Sequence, residues 1–280
     1  MYQILSKKVL NPTVTQMEIE APLVARKAKP GQFIILRVDE DGERIPLTVA
    51  GTDPERGAVK IIFQIVGKTT FVLGQKEAGE SIADFVGPLG RPTEMEGLKK
   101  VCIVGGGVGC AIALPVAEEM HRLGIEVTSI IGFRSVDLLI LEDEFRAASD
   151  KLIVMTDDGS YARQGNVTVP LKEMLEAGER FDLVLAIGPG VMMKFTALTA
   201  KPYGVPCRVS MNPIMVDGTG MCGACRLMVG DKVKFACVDG PEFDAYEVDF
   251  DEAMSRGRMY IPEERHAYDE ACNLFKQANG

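Results

Sequence analysis

The sequence has no Trp, only two His in 280 residues, and 6% aromatic residues. It also lacks a long apolar run. The longest stretch without a charged residue, 101–117, contains four glycines and a proline. A bilayer-spanning helix needs about 20 consecutive apolar residues, so this stretch is too short and too broken. The amino terminus, Met1-Tyr-Gln-Ile-Leu-Ser-Lys-Lys, has no apolar core of signal-peptide length. No basic block is present: 31 Lys+Arg stand against 40 Asp+Glu, a formal net charge of -9. That balance argues against nucleic acid or an anionic membrane as a partner. The shortage of His leaves no Ser-His-Asp or Cys-His arrangement. His121, beside Glu118 and Glu119, and His266, in a polar tail, both read as solvent-facing. A cytoplasmic location is expected.

What the chain does have is an ordinary globular balance, 46% apolar and 25% charged, and seven cysteines. An odd number cannot pair completely, and cytosolic thiols stay reduced. Cys102 and Cys110 lie in or beside apolar stretches and read as small buried hydrophobes; Cys207 and Cys272 are scattered. Cys222, Cys225 and Cys237 are clustered and need another explanation.

Changes of hydrophobic period divide the chain. Residues 1–96 are strand-like. Runs such as Phe33-Ile-Ile-Leu-Arg-Val and Val59-Lys-Ile-Ile-Phe-Gln-Ile-Val alternate with turn signals, and only a short helix after Thr70 interrupts them. This predicts a small antiparallel β-barrel. Over 97–204 strands alternate with helices, which predicts a parallel α/β sheet. Helices are expected at 110–123, 135–148, 168–177 and 191–199. Residues 205–248 form a short glycine- and cysteine-rich module, too small for a large core unless a metal centre helps hold it. Residues 249–280 are an acidic, then helical, tail.

Three motifs carry chemistry. Gly105-Gly-Gly-Val-Gly lies between a strand and a helix, where glycines let the backbone approach a pyrophosphate and the helix N-terminus offers free N–H donors. Gly188-Pro-Gly and Asp157-Asp-Gly follow two further strands. Three such strand ends suit a nicotinamide dinucleotide. In the barrel, Arg44-Ile-Pro-Leu-Thr and Gln64-Ile-Val-Gly-Lys-Thr-Thr suit a phosphorylated cofactor. The sharpest motif is the third. Four residues separate Asp217 from Cys222, two separate Cys222 from Cys225, and eleven more precede Cys237. Plant-type 2Fe–2S sites use the same two short spacings, with Cys at the first position and a distant fourth Cys. Zinc is the structural alternative, although it prefers a fourth Cys or His and none is nearby.

In this order of modules the chain resembles the ferredoxin-NADP reductase superfamily, and within it the electron-transfer subunits related to that of dihydroorotate dehydrogenase B. The resemblance covers nearly the whole chain. Asp217 in place of the first Cys is similar to the small subunits of NADH-dependent ferredoxin:NADP⁺ oxidoreductases, electron-bifurcating transhydrogenases. The resemblance implies a ferredoxin reductase-like fold: an antiparallel β-barrel FAD domain, an α/β nucleotide-binding domain and a C-terminal 2Fe–2S module. It places FAD on Arg44, Pro46, Leu47, Thr48, Gln64, Ile65, Gly67, Thr69 and Thr70. It places NAD(H) on Gly106, Gly107, Val108, Gly109, Arg134, Asp157, Gly188 and Pro189, where Arg134 is compatible with NADP. The cluster ligands are Asp217, Cys222, Cys225 and Cys237. No catalytic acid or base is implied, because hydride transfer needs none. It further implies a flavoprotein oxidoreductase working as one half of a heterodimer. The partner would be a larger flavin and 4Fe–4S subunit, with ferredoxin reached through it. An electron-transfer subunit for dihydroorotate dehydrogenase B and a non-enzymatic zinc-stabilised binding module are the competing readings.

Overall fold

The computed structural model describes residues 1–279. The first body is built from two antiparallel sheets. In the larger, the strands run in the order Gly51–Asp53, Ala58–Gln64, Val14–Glu20, Tyr2–Asn11 and Ser81–Ile82. The smaller has Phe33–Arg37 between Ile45–Thr48 and Asp84–Leu89. The first hairpin closes because the Asn11 side-chain oxygen accepts from the N–H groups of Thr13 and Val14, both at 2.9 Å. This is the local bonding that makes Asn a turn residue. Ile4, Met17, Ile19, Ile61, Phe63 and Phe85 fill the interior.

The second body is a seven-stranded sheet in the order Arg163–Gln164, Lys151–Thr156, Glu126–Phe133, Lys100–Gly106, Leu183–Ile187, Cys207–Ser210 and Glu242–Asp244. All pairs are parallel except the last. Both faces are covered, so the strands are continuously apolar. Along Lys100–Gly106, Val101 and Ile103 face one core while Cys102 and Val104 face the other. Cys102 and Cys110 are buried as expected, and Cys207 is buried too. Burial raises all three thiols, Cys207 to about 12.

Two expectations meet a different structure. The sheet does not stop at 204: Cys207–Ser210 and Glu242–Asp244 extend it, and the cluster module is inserted between them. Strands this short give too little period to read from sequence. The helix expected over 135–148 is broken into a short 3-10 turn, Val136–Leu138, and a helix, Glu142–Ala147. Leu141 between them is left-handed, at φ 62°. The apolar run Leu138-Leu-Ile-Leu has no polar face to keep outside, so it turns Ile140 into the core instead of continuing as a helix.

The module contributes the hairpin Arg226–Val229 and Lys232–Phe235. The helix Phe250–Arg256 follows, capped by the Asp249 carboxylate accepting from the N–H groups of Asp251 and Glu252. The last helix is Ile261–Asn279. Among the described residues no helix is long and apolar enough to cross a membrane.

The strand Phe33–Arg37 joins the bodies. Ile34 and Leu36 point into the barrel, whereas Phe33 and Ile35 belong to a core that also contains Cys225, Leu227 and Cys237. Ile35→Ala removes a side chain with no solvent exposure. It is expected to cost about 2–5 kcal/mol, measured by urea denaturation followed by circular dichroism. Loss below about 1 kcal/mol would show that the two bodies are not packed through this strand.

Candidate functional site

The strand order around Lys100–Gly106 reverses direction: the chain goes next to Glu126–Phe133 on one side and later to Leu183–Ile187 on the other. Ligands of open α/β sheets bind in the crevice at such a switch, beyond the carboxyl ends of the strands. The structure brings Gly106, Gly107, Val108, Gly109, Gly188 and Pro189 together there. Gly109 opens the helix Gly109–Arg122, and a Cβ on it would lie 2.5 Å from the Ile187 carbonyl oxygen. Only glycine allows this helix to start so close to the neighbouring strand. Arg134 and Asp157 are exposed at the ends of the next two strands, directly after the paired residues Phe133 and Thr156. They follow strand residues that stand beside one another in the sheet. Met192, in the helix Gly190–Ala200, lies against this glycine turn. Its sulfur would meet a Cβ on Gly106 at 2.3 Å.

The barrel motif is also gathered. Pro46, Leu47 and Thr48 lie on Ile45–Thr48, paired with Ile35, Ile34 and Phe33. Gln64 ends the adjacent strand, and the Ile65 N–H donates to the Thr13 carbonyl at 2.8 Å. Gly67 caps the helix Lys68–Gln75. The Thr70 hydroxyl oxygen accepts from the N–H groups of Val66 (3.0 Å) and Gly67 (3.1 Å), locking the turn. The Thr69 hydroxyl donates to Glu43 at 3.3 Å, tying the turn to the residue before Arg44. The first N–H groups of an α-helix have no partner within it, which is the chemistry an anion would suit.

In the third motif the backbone bends at Gly218 (φ 84°), Gly220 (φ 84°) and Gly223 (φ 68°), conformations that favour glycine. The Asp217 carboxylate accepts from Thr219 N–H (2.9 Å), Thr219 hydroxyl (2.7 Å) and Met221 N–H (3.0 Å). These bonds, that of Thr219 foremost, hold it below the usual carboxylate range. Cys225 and Cys237 are buried with their sulfurs 3.2 Å apart, whereas Cys222 is exposed. Burial, then the neighbouring Cys225, raises the Cys237 thiol, while the Gly220 N–H bonded to it acts the other way. Among the described residues no three His, Cys, Asp or Glu side chains converge on one point as a bound metal requires. The donor set itself, three thiols and a carboxylate under a glycine loop with an amide aimed at sulfur, suits an iron–sulfur centre.

One connection was not legible in the sequence. The Arg44 Nε donates to the Val216 carbonyl at 2.8 Å, one residue before Asp217. A Cβ on Gly218 would fall 2.7 Å from Ile35 Cδ1 and 2.8 Å from Leu89 Cδ1. The cysteine loop therefore sits directly on the small sheet to which Ile45–Thr48 belongs. The Ala224 carbonyl accepts from Arg256 at 3.3 Å, tying the loop's other side to the helix Phe250–Arg256.

The comparisons agree with this arrangement. Residues 212–249 match the iron–sulfur cluster binding domain of dihydroorotate dehydrogenase B. A Thermotoga maritima homologue of the dihydroorotate dehydrogenase B (NAD⁺) electron transfer subunit is 48% identical, over 95% of this chain and 94% of its own. A Clostridium beijerinckii protein of the adh 3′ region is 53% identical, over 95% and 93%. A solved structure of an NADH-dependent reduced ferredoxin-NADP oxidoreductase, determined for insight into flavin-based electron bifurcation, superposes with a TM-score of 0.90. It is 46% identical and covers 96% of this chain and 97% of that one. This chain therefore belongs to the family of dihydroorotate dehydrogenase B electron-transfer subunits and their homologues, subunits of heteromeric oxidoreductases built on the ferredoxin-reductase fold.

Proposed function

We propose that the chain carries electrons between a 2Fe–2S cluster, FAD and NAD(H), as the small subunit of an electron-bifurcating NADH-dependent ferredoxin:NADP⁺ oxidoreductase. The observation that carries this reading is the loop Asp217–Cys225 seated on the barrel strands through Arg44 and Ile35. A cluster held there would lie beside a flavin held by the barrel. When bound, FAD exchanges electrons singly or in pairs, which is what joins a two-electron dinucleotide to a one-electron cluster.

The chain's own residues bind and orient. Arg44 and the Gly67, Thr69 and Thr70 turn would hold the flavin diphosphate, while Pro46, Leu47, Thr48, Gln64 and Ile65 shape the surface beside it. Gly106, Gly107, Val108, Gly109, Gly188 and Pro189 would take the dinucleotide into the switch-point crevice, with Arg134 and Asp157 at its adenosine end. Asp217, Cys222, Cys225 and Cys237 are the proposed cluster ligands. To close on a cluster Cys222 would have to turn inward, whereas the Asp217 bonds to Thr219 and Met221 all fall on one oxygen, Oδ2, and need not break. Proposed partners are a larger flavin and 4Fe–4S subunit, in a cytoplasmic heterodimer, and ferredoxin through it. The domain match at 212–249 also favours a dihydroorotate dehydrogenase B complex, but Asp217 where that family resemblance implies Cys weighs against it. Co-purification from the native cell separates the two by the partner that comes down.

Protein purified anaerobically is expected to show flavin and iron–sulfur absorbance, and both are expected to bleach on adding NADH. A colourless chain after reconstitution with FAD, iron and sulfide would overturn the redox reading. Asp217→Cys is expected to move the cluster midpoint in a redox titration, since ligand identity tunes the potential. An unchanged midpoint would mean that Asp217 is no ligand. Arg134→Ala is expected to raise KM for the dinucleotide about tenfold with kcat nearly constant, the pattern of lost ground-state binding. Steady-state kinetics with NADH and NADPH measure this, and an unchanged KM for both would remove Arg134 from the site.

A further inference from the structure

The helix Ile261–Asn279 is mostly exposed, yet it has a docked side. Its half-buried residues include Ile261, Tyr268, Ala271 and Cys272. Spacings of three, four and seven place them on one stripe. The element this stripe meets is the helix Lys68–Gln75. Phe71 stands between two tail rings. Its centroid is 5.5 Å from that of Tyr268 at 80°, and 5.8 Å from that of Phe275 at 88°. Both are the edge-on arrangements that aromatic quadrupoles favour.

Phe71 follows Thr69 and Thr70, and its N–H donates to the Gly67 carbonyl at 2.9 Å. The helix has two working sides. Thr69, Thr70 and Leu73 are buried toward the barrel, and Phe71 faces the tail. At 1.5 Å per residue the tail helix is about 28 Å long. It begins just after the helix whose Arg256 holds the cysteine loop, so it runs from the module back to the barrel.

We propose that the C-terminal helix is a clamp on the flavin-diphosphate turn, with Phe71, Tyr268 and Phe275 as positioning residues. This rests on the flavin reading above. A turn with eight helical residues behind it frays easily when only one side is packed. Packing its outer side fixes the amides of 68–70 before ligand arrives, and a pre-ordered site spares the ordering cost at binding. None of the three rings needs to touch the flavin.

The test uses the full-length chain with its flavin removed. Flavin-fluorescence titration gives the FAD dissociation constant for the parent, Phe71→Ala, Tyr268→Ala and Tyr268→Phe, with iron–sulfur absorbance recorded for each. One lost ring contact converts to about two- to tenfold in affinity. Tyr268→Ala should weaken FAD by that factor and Phe71→Ala by about tenfold or more. Tyr268→Phe should bind like the parent, and iron–sulfur absorbance should persist in all four. Parent-like affinity in both alanine variants overturns the clamp. So does loss of the iron–sulfur absorbance together with FAD, which marks general unfolding. A parent chain that takes up no FAD would instead remove the flavin reading itself.

Discussion

The strand Phe33–Arg37 serves two cores at once, and the arrangement of the cofactor motifs follows from it. Side chains of a β-strand alternate between faces, so four residues, Phe33 to Leu36, supply both the barrel interior and the floor under the cysteine loop. Ile34, Ile35 and Leu36 have no solvent exposure, and Phe33 has 4%. Neither body can slide past the other without opening one of these cores. Polar contacts reinforce the same seam. Arg91 donates through its backbone N–H to the Gly240 carbonyl at 2.7 Å and through Nε to Val238 at 3.1 Å. Thr93 donates to Glu242, whose carboxyl is raised by desolvation. The connection from barrel to sheet is thus stitched to the carboxyl end of the module inserted into that sheet.

This seam explains why so few titratable side chains sit at the motifs. The motifs are shaped by backbone geometry: glycine-bearing turns lie at Gly67, at 105–109 and at 218–223. Cys102, Cys110 and Cys207, buried among apolar residues, are held as protonated thiols and behave as core residues. Cys225 and Cys237 are as well buried but have each other, a glycine amide and an aspartate for neighbours. A thiol must lose its proton to ligate a metal, and these neighbours set the pair apart from the three cysteines buried among apolar side chains.

Legibility followed the range of the interaction that fixes each feature. The glycine turns at 105–109 and 188–190 and the Gly67–Thr70 turn are set by neighbours in sequence, and the structure places them at strand ends as read. The break at Leu141 and the edge strands Cys207–Ser210 and Glu242–Asp244 are set by partners elsewhere in the chain. Met192 comes against Gly106 only on folding.

The sequence by itself determined the module order, the period of each module and the donor types at 217, 222, 225 and 237, because these depend on residue chemistry and short spacing. The tertiary structure alone decided that Arg44 meets Val216, that Gly218 lies against Ile35, and that Phe71 is held between two rings of the tail. Contacts across so many residues leave no periodic trace, because their partners are selected by packing of whole bodies and not by any local preference of the chain.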